Sequence, residues 1–336
     1  MKEEKKKYQR NLFQSLEKVI GSHVYKELEG LLFMSYKSVY SLRQGNSWLK
    51  FEDAAKIIEH FGLPVQDLFV NKTGLLGFSY ISLKDFRENG YREYLNRLAV
   101  SIRLFAKKIR AEMLFLADEI PIFHFMPHKE LIYFKLFTWA MENQTDRERP
   151  LMYYEDFVKD MEEMDFTAEF ESIYAAYMEI PSQEIWSPST IDSMLYELQL
   201  YIEYKVFREK EVIGLLHDQV AQIWKNQLDW VSARRKPNGQ YFDLFYTRTH
   251  IGGGRMLLKS DEDSTAVIKL HKINSIATSD RSFVQEQEAS FRSITEKSSL
   301  LGTAPLPKLQ LIDQEIRQRI ELSNDIAHKL YIQTYD

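Results

Sequence analysis

The chain has 336 residues, 44% of them hydrophobic and 28% charged, with a net charge of −5 and no cysteine. That length suits two or three packed domains, and the composition excludes wholesale disorder, disulfides and thiolate metal sites. No apolar run such as Met113 to Ala117 approaches the ~18 residues of a membrane span, and the charged start MKEEKKKYQR lacks the long apolar core of a secretory signal. A reducing cytoplasm is the expected location, with no membrane partner. Charge is unevenly placed, because residues 1–75 hold 12 Lys and Arg against 9 Asp and Glu. A mildly basic head on an acidic body suits a module whose N-terminus meets a polyanion.

In chain order, a first helix is predicted over Arg10 to Ile20, with Leu12, Leu16 and Val19 or Ile20 on one face. A second runs from about Val24 to Leu32, burying Leu28, Leu31 and Leu32. Ser35 sits where an N-cap belongs and opens a third helix, Tyr36 to Arg43, with Val39 and Leu42 inward. A fourth covers Phe51 to Phe61, buries Ala54, Ile57, Ile58 and Phe61, and ends at Gly62. Val65, Leu68 and Phe69 close this small core.

Residues 12–69 resemble the lambda-repressor/Cro-like helix-turn-helix family. The resemblance rests on the helix pair, the inward Val39 and Leu42, the loop Gly45, the fourth helix, and the finish Gly62, Leu63, Val65, Leu68, Phe69. The family's small alanine falls on Glu29 and its turn glycine on Phe33. The resemblance implies that the third helix enters the major groove of double-stranded DNA. The candidate DNA-binding residues are Tyr36, Lys37, Ser38, Tyr40, Ser41, Arg43 and Lys50. Lys37, Arg43 and Lys50 would contact phosphates, with Lys5, Lys6 and Lys7 as a flexible basic arm, and Tyr36, Lys37, Ser38 and Ser41 would reach base edges.

Asn71 to Ser82 reads as a linker. Beyond it Tyr91, Leu95, Leu98, Ile102, Phe105 and Ile109 recur at heptad steps, which fits either a dimerisation helix or a core helix of a larger bundle. Helices are predicted over Lys129 to Met141, Tyr153 to Met164, Thr167 to Met178, Pro188 to Phe207 and Lys210 to Ala233. Their pairing is similar in architecture to tetratricopeptide hairpins, without that family's consensus, and either a peptide groove or an irregular bundle satisfies it. Tyr241 to Thr249, Gly254 to Leu258 and Thr265 to His271 read as a small antiparallel meander. A helix from Ser279 or Asp280 to Lys297, a break at Pro305-Leu306-Pro307 and a final helix from Leu309 to Tyr331 complete the chain.

The expected fold is therefore mainly α. A helix-turn-helix domain (1–70) and a linker (71–84) precede a helical effector or oligomerisation region (85–236), and residues 237–336 supply a small β element and terminal helices. Gly252-Gly253-Gly254 lacks the ending of a phosphate loop and reads as a hairpin turn or bulge. His124 and His128 flank Pro127, against a helical metal pair, and the remaining histidines are scattered. Asp261-Glu262-Asp263 lacks a calcium-loop pattern, and Glu162-Glu163 face different ways. No cofactor and no catalysis are expected. The function read from the sequence is a DNA-binding transcriptional regulator acting as a homodimer, with a peptide or small molecule as a candidate effector. The alternative is an interaction scaffold that keeps the helix-turn-helix fold without binding DNA.

Overall fold

The computed structural model describes residues 2–63, 76–80, 90–143, 152–249, 251–270 and 274–335. It divides into two compact units, Met1–Phe78 and Ser79–Asp336. The expected closing residues Val65, Leu68 and Phe69 and most of the linker, 71–75 and 81–84, lie outside the described residues.

The first unit is helical: α1 (Lys2–Ile20), α2 (Val24–Leu32), α3 (Tyr36–Arg43) and α4 (Phe51–Phe61). Leu12, Leu16, Leu28, Val39, Leu42 and Ile57 form its buried core, joined by Phe13, Val24 and Leu63. Helix α1 begins eight positions before the predicted Arg10, so Lys5, Lys6 and Lys7 belong to a helix rather than a flexible arm. Two ends follow from local chemistry. The Ser35 hydroxyl accepts from the Ser38 amide at 3.3 Å to open α3, and Gly62 closes α4 at φ +59°, a conformation costly for residues with a Cβ.

The second unit is mixed α/β, which corrects the expectation of a mainly α chain with a small antiparallel element. Its strands are β1 (Ser79–Tyr80), β2 (Glu112–Leu116), β3 (Ser182–Trp186), β4 (Phe242–Tyr246), β5 (Arg255–Lys259), β6 (Ser264–Lys269), β7 (Ser275–Thr278) and β8 (Ser299–Leu300). They form one eight-stranded sheet in the order β1-β7-β6-β5-β2-β3-β4-β8. The central β2, β3 and β4 run parallel, and all other pairings are antiparallel. Parallel neighbours need long crossovers, and helices supply them. The chain between β2 and β3 carries α6 (Lys129–Asn143), α7 (Tyr154–Met164) and α8 (Thr167–Met178), and that between β3 and β4 carries α9 (Pro188–Glu203) and α10 (Lys210–Ala233). These helices are therefore a layer on a sheet, not a tetratricopeptide-like array. The predicted meander is also redrawn: β5, β6 and β7 pair in succession, while β4 is separated from β5 by the two strands β2 and β3.

Side chains alternate across the sheet, as period-two geometry requires. Met113, Trp186, Phe242 and Leu244 join the large core under the helices, while Leu114, Leu116, Ile185 and Phe245 face α11 (Arg281–Glu296) through Val284 and Phe291. The heptad seam lies in α5 (Gly90–Ala106), where Leu95, Ala99, Ile102 and Phe105 are buried in the large core and the helix packs on α8. Ile109, past the helix end, is exposed. The final helix, α12 (Leu306–Tyr335), buries Ile312, Ile316 and Ile320 against α9 and α10. No helix among the described residues is long and apolar enough to cross a membrane.

Candidate nucleic-acid interface

The turn between α2 and α3 is set by Phe33, which adopts φ +51° and is 94% exposed. From Ser35 onward α3 turns Val39 and Leu42 inward, so its remaining positions fall on two flanks and an outer face. One flank, Tyr36, Tyr40 and Arg43, leans on Tyr25 of α2. The Tyr36 and Tyr40 rings lie 4.8 and 6.4 Å from that of Tyr25, and the Arg43 guanidinium stacks over it at 5.2 Å. Arg43 donates to the Tyr25 hydroxyl and pairs with Glu17 of α1 at 2.6 Å. The Tyr25 hydroxyl and Glu17 together raise its pKa above the ordinary arginine value.

Of the expected site residues, Lys37 and Ser38 are exposed, and Ser38 shares a hydroxyl contact with Ser35 at 3.0 Å. Ser41 is half-buried and accepts from Ser47 at 3.0 Å. Lys50 is exposed at the start of α4. Arg43, held by Glu17 and by Tyr25, is a brace between α1, α2 and α3. Helical geometry places Gln44 beside Lys37 and Ser41, one turn further along the outer face. It is exposed and was not among the expected residues.

Gln9 of α1 was also not expected, and it positions this surface. Its Nε2 donates to the carbonyls of Leu42 and of Ser47 (2.9 Å), and its Oε1 accepts from the Leu49 amide at 2.9 Å. One buried amide thus fixes both the end of α3 and the loop to α4. The signal was present in the sequence, since Gln9 continues the Leu12–Leu16 stripe one turn earlier. From Phe33 to Lys50 the chain carries Lys37, Arg43 and Lys50 and no acidic residue. An exposed, acid-free surface of amines, hydroxyls and an amide can meet phosphates and base edges.

The second unit holds a buried polar cluster on the helical side of β3. Glu184 is fully buried and accepts from Tyr177 Oη and Trp186 Nε1, each at 2.7 Å, and from His124 Nε2 at 3.0 Å. Burial would raise its pKa, but His124 and these donors outweigh that and lower it. Gln227 Nε2 meets the other ring nitrogen of His124 at 3.0 Å. Lys236, also buried, donates to the carbonyls of Tyr177 (2.8 Å) and Ile180 (2.7 Å) and lies 3.5 Å from the Tyr177 ring centroid.

The other sequence candidates take structural places. Gly252–Gly254 lies in the connection from β4 to β5, which are not neighbours, so it is not the expected hairpin turn. A Cβ on Gly254 would come within 2.3 Å of Asp118 Oδ1, so the Asp118 side chain would have to shift. Asp261 and Asp263 anchor Arg110 and Lys108 beyond α5. Among the described residues no group of three or more His, Asp or Glu is placed to hold a metal. Comparison with protein-family models, curated proteins and solved structures finds no match to this chain.

Proposed function

We propose that the chain is a cytoplasmic, sequence-specific DNA-binding regulator of transcription that acts as a homodimer on double-stranded DNA. Its α/β unit organises or gates that binding in response to an effector. The observation that carries the reading is the α2–turn–α3 pair, with a braced α3 whose outer face is free of acids and exposes Lys37, Ser38 and Gln44 beside the half-buried Ser41. Lys37 and Lys50 supply phosphate contacts, and Lys37, Ser41 and Gln44 reach base edges.

The test is binding of the full-length protein to duplex DNA at rising salt. Phosphate-driven affinity falls steeply with salt, and each phosphate contact removed lowers the slope of log affinity against log salt by about 1. Lys37→Glu with Lys50→Glu is expected to abolish binding at moderate salt while leaving the unfolding midpoint unchanged. Salt-independent binding, or full affinity in the double variant, would refute the assignment. A second reading, a protein-interaction scaffold, is favoured by one observation: Phe33 and Phe51 are 94% and 87% exposed, which suits an apolar partner. Under that reading wild type shows no salt-dependent DNA affinity.

A further inference from the structure

One bulky apolar side chain of the first unit is placed where the free chain gains little from it. Phe33 closes α2 at φ +51°, a left-handed conformation unfavourable for a residue with a Cβ, and its ring is 94% exposed. Exposure alone is ordinary for a single apolar side chain. Exposure joined to backbone strain is not, because strain of this kind collects where function uses it. The surroundings say which partner it suits. Phe33 stands two positions before Ser35, the N-cap of α3, at the end of the helix that a helix-turn-helix presents to base edges. From Phe33 to Lys50 the chain carries Lys37, Arg43 and Lys50 and no acid, and Lys37 and Ser38 in the first turn of α3 are exposed. An apolar ring in a cationic, acid-free surface fits a polyanion that also shows an apolar group.

In a duplex the faces of the bases are stacked on one another, so the ring finds no base face to stack on. What the major groove shows is mostly hydrogen-bond donors and acceptors, and its apolar group is the C5-methyl of thymine. We infer that Phe33 is a specificity-determining residue that packs its ring on the C5-methyl of a thymine, beside the polar contacts of Lys37 and Ser38. A methyl offers no hydrogen bond, so the amine and hydroxyls of α3 cannot read it and an apolar side chain can. Phosphate contacts by Lys37 and Lys50 give affinity on any sequence, whereas the ring separates thymine from cytosine and from uracil. Glycine at position 33 would relieve the backbone and lose the reading, so the strain and the selectivity are one feature. The contact presupposes the proposed DNA binding and adds to it the base feature recognised and the residue that recognises it.

The experiment takes the duplex that the full-length wild type enriches from a random pool and remakes it with uracil for thymine. That change removes the C5-methyl groups and keeps every base-pair hydrogen bond. Affinities for both duplexes are measured at moderate salt with wild type, Phe33→Gly and Phe51→Ala. Burial of one methyl is worth about fourfold in affinity, so wild type is expected to bind the uracil duplex about fourfold more weakly for each thymine contacted. Phe33→Gly suits the φ +51° backbone and is expected to bind the two duplexes equally, with the wild-type salt slope because no phosphate contact is lost. Phe51 is 87% exposed at the start of α4, and Phe51→Ala is expected to keep the wild-type ratio. Equal binding of the two duplexes by wild type, an undiminished ratio in Phe33→Gly, or its loss in Phe51→Ala would overturn the contact and leave the DNA reading standing. Enrichment of no duplex, or salt-independent binding, would overturn both.

Discussion

Three single residues carry consequences that do not follow from their type alone. Phe33 occupies a left-handed backbone conformation while its ring is almost wholly in solvent, so the fold bears the strain and gains little packing in return. Phe33→Gly is therefore expected to stabilise the first unit by about 0.5–1 kcal/mol despite the loss of a large side chain, read as a raised unfolding midpoint. A lowered midpoint would mean that the ring has a packing role. Gln9 is the converse case, a small polar group with large leverage. Gln9→Ala removes the side-chain partner of the Ser47 carbonyl and of the Leu49 amide, and one of the donors to the Leu42 carbonyl, and is expected to destabilise the first unit by about 2 kcal/mol. Lys236 makes stability depend on alkaline pH. Burial pushes its pKa down from 10.5 to about 7, whereas the unfolded chain keeps the proton up to the ordinary value. Between these limits unfolding takes up a proton, so stability rises as pH increases from 7 towards 10. Urea midpoints of wild type should climb across that range, and those of Lys236→Met should not.

At the level of elements, what could be read in the sequence depended on whether a segment's pattern was local. Helices α2, α3, α4, α8 and α10 fall where periodicity and end signals place them, because Ser35, Gly62 and regular apolar spacing act within a few residues. The central strands had no such signal. In β3 the inward positions are Ser182, Glu184 and Trp186, two of them polar, which inverts the usual alternation. Only His124, Tyr177 and Trp186, brought together by the fold, make a buried Glu184 tenable. In β2 a five-residue strand lies in a short apolar run whose periodicity does not separate strand from helix. The α5 seam was ambiguous for a different reason, since heptad spacing reports a buried stripe without saying which chain buries it. Here α8 of the same chain does. Helix α12 shows the same dependence on packing from the other end of the sequence. Ile316 is fully buried under it, so Ile316→Ala is expected to lower the stability of the second unit by about 3 kcal/mol while the first unit's transition stays in place. A simultaneous loss in both transitions would contradict separate units.

At the level of the whole molecule, the two units divide the labour of the proposed regulator. The helical unit presents a surface, and the α/β unit holds the buried polar cluster around Glu184. The surface was largely legible in the sequence, because α3 is short and its inward pair Val39 and Leu42 fixes which residues remain outside. The ties of Arg43 to Glu17 and Tyr25 were not legible, because those partners lie 26 and 18 positions away in the chain. The buried cluster was not legible at all, since His124, Glu184 and Gln227 come from three separated segments with no common motif. The measurement that tests the central claim most directly is selection of fragments from a random duplex pool by the full-length protein at moderate salt, beside Lys37→Glu/Lys50→Glu. The account predicts that wild type enriches one motif, with two half-sites if it binds as a pair, and that the double variant enriches none. Enrichment of the same motif by both proteins, or by neither, would contradict it.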